Sequence, residues 1–215
     1  MKYQAVIFDL DGVICHTDQY HYKAWKLIAD RMEIPFDEQK NNRLRGISRM
    51  ESLDILLEDY LYSVSDEEQA ALAAEKNDVY RRLLGEMTPA SLAPGTKRVL
   101  DCLRERGIKL AIGSSSKNAR YILDRIGLTG FFDVVCDGSD ITSSKPDPQV
   151  FLLAAEMLGT NPANCLVVED AAAGVVAAHA GGMDCAAIGS AAGRGIAEYD
   201  LITLADLLEI LVLSV

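Results

Sequence analysis

Two aspartates one residue apart, Asp9 and Asp11, follow the apolar run Ala5-Val6-Ile7-Phe8 and are closed by Gly12. A carboxylate can act as a nucleophile and carry a transferred group as an acyl intermediate. A second carboxyl group beside it can move the proton of an attacking or departing alcohol. A short Ala/Val/Ile/Phe run bounded by Gly reads as a buried parallel strand, and open α/β sheets bind ligands beyond the carboxyl ends of such strands. Side chains two apart on extended chain share a face, so both carboxylates can face one cavity. Asp and Gly are equally at home in a solvated turn, so the tetrapeptide draws its weight from what accompanies it.

Three more loops carry matching chemistry. The run Lys109-Leu110-Ala111-Ile112-Gly113 leads into Ser114-Ser115-Ser116-Lys117-Asn118, where hydroxyls and backbone N–H groups at a helix start suit an anion, although serines there also serve as caps. Lys145, in Lys145-Pro146-Asp147-Pro148, is either a solvated turn lysine or an ammonium that neutralises phosphate and carboxylate charge. The run Cys165-Leu166-Val167-Val168 ends in Glu169-Asp170, two hard oxygen donors suited to Mg²⁺, an ion that would offset repulsion among anions. All four signals fall in order on strand-end loops of one sheet.

The elements that must position these groups follow from periodicity. Helical patterns cover 18–32 (Trp25, Ile28, Ala29 and Met32 in phase, with Pro35 to end it), 37–44, 49–60 and 66–84, the last opened by Ser65-x-x-Glu68. From residue 96 onward, helix and strand patterns alternate: helices 96–106, 118–126, 148–158 and 172–180, with strands 109–113, 133–136, 165–169 and 185–188. That alternation predicts an α/β fold with a helix-covered parallel sheet. The core is expected from 1–16 and 89–215, with 17–88 inserted after the first strand as a helical cap. Leu204 to Leu213 reads as a packed helix, and His179 as a structural residue inside its Ala-rich helix.

Composition narrows the function. With 21 basic and 32 acidic residues the net charge of −11 argues against general nucleic-acid or anionic-membrane binding. A phosphorylated substrate would therefore rely on local cations. Five cysteines without CxxC or Cys/His spacing read as buried thiols of a reducing compartment. No apolar run reaches the ~18 residues of a membrane span, and Met1 to Gln4 runs directly into the first strand without a leader pattern. A cytoplasmic protein is expected, acting as a monomer.

The stretch from Ala5 to Ile14 resembles the signature of the haloacid dehalogenase-like (HAD) phosphotransferases. Further stretches are similar to the β-phosphoglucomutase family: His21-x-x-x-Trp25, Leu44-Arg45-Gly46-Ile47-Ser48-Arg49-x-x-Ser52-Leu53, Lys76-Asn77, Ser114 to Asn118, Lys145-Pro146 and Glu169-Asp170-Ala171-x-Ala173-Gly174. The resemblance spans residues 3–190. It implies a Rossmann-like parallel core under an α-helical cap, with Asp9 as nucleophile and Asp11 as general acid/base. Mg²⁺ would be held by Asp9, the Asp11 backbone carbonyl, Glu169 and Asp170. Ser114 and Lys145 would hold the transferring phosphoryl group, and Arg49, Ser116, Lys117 and Asn118 the distal phosphate, with Ser115 beside them. His21, Trp25, Leu44, Gly46, Ile47, Ser48, Ser52 and Lys76 would line the cap side. The implied reaction interconverts β-D-glucose 1-phosphate and glucose 6-phosphate through β-glucose 1,6-bisphosphate and a phospho-aspartyl enzyme. The alternatives are a sugar-phosphate phosphatase, a mutase for another sugar phosphate, and a non-catalytic sugar-phosphate binder. The sequence departs from the family at His16, where an aspartate is usual, beside the expected hinge.

Overall fold

The computed structural model describes residues 2–213. Ala5–Phe8 (β1) is buried at every residue because it lies mid-sheet, paired in parallel with Lys109–Gly113 (β2) on one side and Cys165–Glu169 (β4) on the other. Val134–Cys136 (β3) lies outside β2, while Asp184–Ala187 (β5) and Tyr199–Asp200 (β6) extend the other edge. The order is β3-β2-β1-β4-β5-β6. Strands covered on both faces read as unbroken apolar runs, and β1 serves two cores at once. Ala5 and Ile7 join one apolar cluster, and Val6 and Phe8 another.

Helices supply the cover. Thr96–Glu105 (α5, numbered in chain order after the four cap-side helices below) buries Val99, Leu100 and Leu103 and turns Lys97, Arg98 and Arg104 to water. It packs with Ala119–Arg125 (α6) and Leu207–Leu213 (α9) on the Phe8 side, while Gln149–Met157 (α7) and Ala172–Ala180 (α8) cover the Ile7 side. The chain between β1 and α5 forms Asp18–Arg31 (α1), Glu38–Asn42 (α2), Arg49–Leu57 (α3) and Asp66–Leu84 (α4). Trp25, Ile28, Phe36, Leu53, Leu56 and Leu72 give this block an apolar cluster of its own. The end of α4 reaches the other side, where Val79, Tyr80 and Leu84 pack into the Phe8 cluster. Among the described residues, no helix is long and apolar enough to cross a membrane.

The capping box Ser65/Glu68 forms as expected. Helix α1, however, ends at Arg31, ahead of Pro35: Glu33 adopts φ 56°, and the bonds Ile34 N to Ala29 O (2.9 Å) and Glu33 N to Asp30 O (3.2 Å) close a Schellman turn. His179 is not deep in its helix; its side chain is 39% exposed and meets Glu198 Oε2 at 3.0 Å, because α8 buries Gly174, Val175, Ala177 and Ala178 and turns position 179 toward the sheet edge. Four of the five free thiols are buried and Cys102 is partly open.

Candidate active site

Asp9 sits one residue beyond β1, with its N–H donating to Val168 O at 2.9 Å, so the strand register carries through to the carboxylate. The chain then turns at Gly12, whose φ of +93° favours glycine. A Cβ there would also fall 2.2 Å from Asp170 Oδ2, so the position can hold no side chain while Asp170 stays in place. Asp11 accepts a hydrogen bond from the buried Thr17 hydroxyl.

Lys145 is fully buried, and its Nζ donates to Asp9 Oδ1 and, at 2.6 Å, to Glu169 Oε1. Burial alone would lower its pKa, but the two carboxylates outweigh burial and hold the ammonium above its ordinary value. Removing the ammonium would leave the Asp9 and Glu169 carboxylates as uncompensated buried charge, a loss of about 3–5 kcal/mol. Glu169 is fixed in turn: its Oε2 accepts from Ala171 N at 3.0 Å, and a Cβ at Gly174 would fall 1.9 Å from its Oε1.

Asp9, Glu169 and Asp170 bring carboxylate oxygens within 4.8 Å of one another. Burial, with Glu169 and Asp9 adding repulsion, pushes Asp170 up to about 9; Arg45 at 3.6 Å only partly offsets this. Burial likewise raises Asp9 to about 8 against the pull of Lys145, and Asp11 to about 6 against the Thr17 hydrogen bond. Three converging carboxylates face one buried ammonium, and a surplus of hard, negative oxygen donors fits a divalent cation such as Mg²⁺.

Asp9, Asp11 and Asp170 open onto a cavity of ≈ 560 Å³, roofed by the helical block. Ser114, Ser115, Ser116, Lys117 and Asn118 line it from the sheet side. His21, Trp25, Leu44, Gly46, Ile47, Ser48, Arg49, Ser52 and Lys76 line it from above. Lys145 and Glu169 are not in its wall; they stand behind Asp9, in contact with it or with each other. The serine loop is held locally, Ser116 N donating to Ser114 Oγ (3.1 Å) and Asn118 N to Ser116 Oγ (3.2 Å).

Far from Asp9 in the chain, the two layers meet through amides. Asn77 Oδ1 accepts both from Arg49 Nη2 (2.8 Å) and from Asn118 Nδ2 (2.9 Å), and Arg81 Nη1 donates to Asn118 Oδ1 at 3.0 Å while stacking on Tyr121. Lys76 Nζ lies 3.0 Å from His21 Nδ1 and over the rings of Trp25 and Tyr80. Burial, then the neighbouring Arg49 charge, brings this lysine down to about 7; burial and Lys76 hold His21 well below its ordinary value.

Sequence reasoning missed Asn77 and Arg81 as bridges, and Asp18, Arg45 and Tyr80 as lining residues. Polar residues on an amphipathic helix look the same in sequence whether they meet water or another layer, so only the neighbouring Lys76 hinted at this face. His16 is exposed and lies outside the cavity wall.

A parallel sheet with a nucleophile-type aspartate after its central strand, and an acidic pair after the next, defines a class: the chain belongs to the haloacid dehalogenase-like hydrolase family, whose model matches residues 3–182. Within it, the chain is 42% identical over 203 residues to the β-phosphoglucomutase of Bacillus subtilis (strain 168), covering 93% of this chain and 88% of that one. A crystal structure of β-phosphoglucomutase from Clostridium difficile superposes with a TM-score of 0.90 at 37% identity, covering 96% of each chain. A phosphorylated carbohydrates phosphatase from Thermotoga maritima is 33% identical over 184 residues, covering 84% of this chain and 82% of the relative.

Proposed function

We propose that this chain is an isomerase that interconverts β-D-glucose 1-phosphate and glucose 6-phosphate by phosphoryl transfer through Asp9. The observation that carries the reading is the two-ended cavity. One end holds a nucleophile with a buried ammonium behind it, and the other gathers Arg49 and Asn118 around Asn77. A hydrolase needs one phosphate grip; a mutase working through a bisphosphate needs two. The B. subtilis relative at 42% identity supports the same assignment.

In this scheme Asp9 attacks phosphorus of β-glucose 1,6-bisphosphate, the phosphorus–oxygen bond to the sugar breaks, and Asp11 donates a proton to the departing sugar oxygen. In the return step Asp11 takes the proton of a sugar hydroxyl as that oxygen attacks phospho-Asp9. Ser114 and Lys145 neutralise the transferring group, and Arg49, Ser116, Lys117 and Asn118 grip the distal phosphate. Asp9, the Asp11 carbonyl, Glu169 and Asp170 would hold Mg²⁺. Bound there, the ion supplies the charge neutralisation that lets carboxylate and phosphoryl oxygens approach. Residues 17–88 act as a cap over the core of 1–16 and 89–215, keeping water from the acyl phosphate.

The test is phosphorus NMR of β-glucose 1-phosphate with enzyme, Mg²⁺ and a trace of bisphosphate. Accumulating glucose 6-phosphate supports the mutase. Release of inorganic phosphate alone would replace it with the second reading, a sugar-phosphate phosphatase, which the T. maritima relative favours.

A further inference from the structure

One cap-to-core contact is absorbed by neither the covalent step nor the phosphate grips. Ser144 Oγ donates to Glu51 Oε2 at 2.5 Å, joining positions 93 residues apart in the chain. Glu51 is the third residue of α3; its Oε2 also accepts from Ser48 N (2.8 Å), and its own N–H donates to Ser48 Oγ (3.2 Å). The carboxylate thus caps the helix whose first residue is Arg49. Ser144 immediately precedes Lys145, whose N–H lies 3.5 Å from Ser115 Oγ.

We propose that Glu51 and Ser144 are positioning residues, forming a closing latch that locks the Arg49 helix to the Lys145 loop, and that sugar is favoured over water as phosphoryl acceptor while the latch is made. The inference rests on the proposed phosphoryl-transfer reading. Three features carry it. First, both partners are held on their own side before they meet: Gln149 Oε1 accepts from Thr142 N (2.9 Å) and Ser143 N (2.8 Å), stiffening the loop before Ser144, and the capping box fixes Glu51. Second, the bond bridges an open crevice lined by Ser48, Glu51, Thr142, Ser144, Pro146 and Asp147, at a seam where cap and core separate if the cap lifts. Third, Glu51 Oε2 is an ionised acceptor shared by both sides: burial disfavours its charge, but the hydrogen bonds from Ser144 and Ser48 outweigh that and keep it below the usual carboxylate range. Opening the latch costs the carboxylate one of these donors, so it resists opening without forbidding it. A bisphosphate that must present each phosphate to Asp9 in turn requires such a reversible closure.

Ser144→Ala removes the latch and leaves the α3 cap intact. The experiment loads Asp9 with acetyl phosphate and measures the half-life of the phosphoenzyme in water, then the ratio of glucose 6-phosphate to inorganic phosphate formed from β-glucose 1-phosphate. Loss of one hydrogen bond to a charged acceptor should shorten the half-life roughly three- to tenfold and shift the product ratio toward phosphate by a similar factor. The melting temperature should be unchanged, and Ser144→Thr, which keeps the hydroxyl, should restore wild-type partition. Glu51→Ala, which also uncaps α3, should shift the partition at least as far, and the double variant should be no worse than Glu51→Ala alone. Equal phosphoenzyme half-lives for wild type and Ser144→Ala, or additive losses in the double variant, would overturn the latch. Failure of the mutase reading is separately visible, as a wild type that releases phosphate and no glucose 6-phosphate.

Discussion

The two ends of the cavity are built in opposite ways. Around Asp9, the groups stand at the end of a strand or one loop away from it; Asp9, Lys145, Glu169 and Asp170 are buried and held by a charged neighbour or by a glycine that admits no side chain, and half-buried Asp11 is held by the Thr17 hydroxyl. Around Arg49, the groups come from α3, α4 and the serine loop, and meet where Asn77 joins them and where Arg81 reaches Asn118. The first end is preorganised by the sheet, as electrostatic catalysis requires. The second is assembled by contact between two layers, each with an apolar cluster of its own. Chemistry is therefore vested in the core, and the choice of acceptor in the seam.

That division can be broken most severely at Asp9. Asp9→Asn keeps the shape and loses the nucleophile; turnover and phosphoenzyme labelling should fall more than about a thousandfold with circular dichroism unchanged. A folded variant above that level would end the covalent scheme. Chelation strikes the same end: dialysis against EDTA should lower turnover by at least roughly a hundredfold, recovered on adding Mg²⁺, and retention of full activity would refute Glu169 and Asp170 as ligands.

At the seam the expected losses are selective. Arg49→Ala should reduce glucose 6-phosphate formation by roughly two orders of magnitude, as expected for a charged phosphate contact worth about 3 kcal/mol, while labelling of Asp9 by acetyl phosphate is nearly spared. Equal losses in both assays would erase the distinction between the ends. Lys76→Met addresses stability. The folded-state value of about 7 lies below the ordinary lysine value of 10.5, so between those limits the unfolded chain binds the extra proton and stability rises with pH. The advantage of Lys76→Met over wild type, read from denaturant unfolding, should therefore shrink by roughly 2–3 kcal/mol between pH 6 and pH 9; a pH-independent difference would contradict the buried lysine. The smallest effect is expected at exposed His16, near the chain crossing between layers. His16→Asp should alter the shape of the pH–rate profile between pH 5.5 and 8.5, and superimposable shapes would remove a role for this residue.

The contrast between the ends also explains what could be read in advance. Asp9, the serine loop and Glu169-Asp170 were legible because each ends an apolar run that has few alternatives to a buried strand. Tyr199–Asp200 was not, since a two-residue edge strand has no periodicity to detect. Glu33 in the left-handed region is a non-glycine ending of α1, which residue type does not announce. The Ser48-x-x-Glu51 box was written in the sequence as plainly as Ser65-x-x-Glu68, but the Ser144 hydroxyl that also bonds Glu51 comes from a distant loop that no local pattern connects to it. His179 misled because alanine-rich surroundings suggest burial, whereas the helix turns that position outward.

The central position of β1 has a consequence for biosynthesis. Its hydrogen-bonding partners are Lys109–Gly113 and Cys165–Glu169, so during translation the strand bearing the nucleophile is made early and has to wait for both flanks. Such non-local parallel pairing is slow to form, whereas α1 to α4 are contiguous and meet soon after synthesis. A nascent chain that stops short of residue 169 would carry Asp9 on a strand flanked on one side only, without the acidic pair at the end of β4. Catalytic competence therefore has to wait until β4 docks beside β1 and brings Glu169 and Asp170 to Asp9.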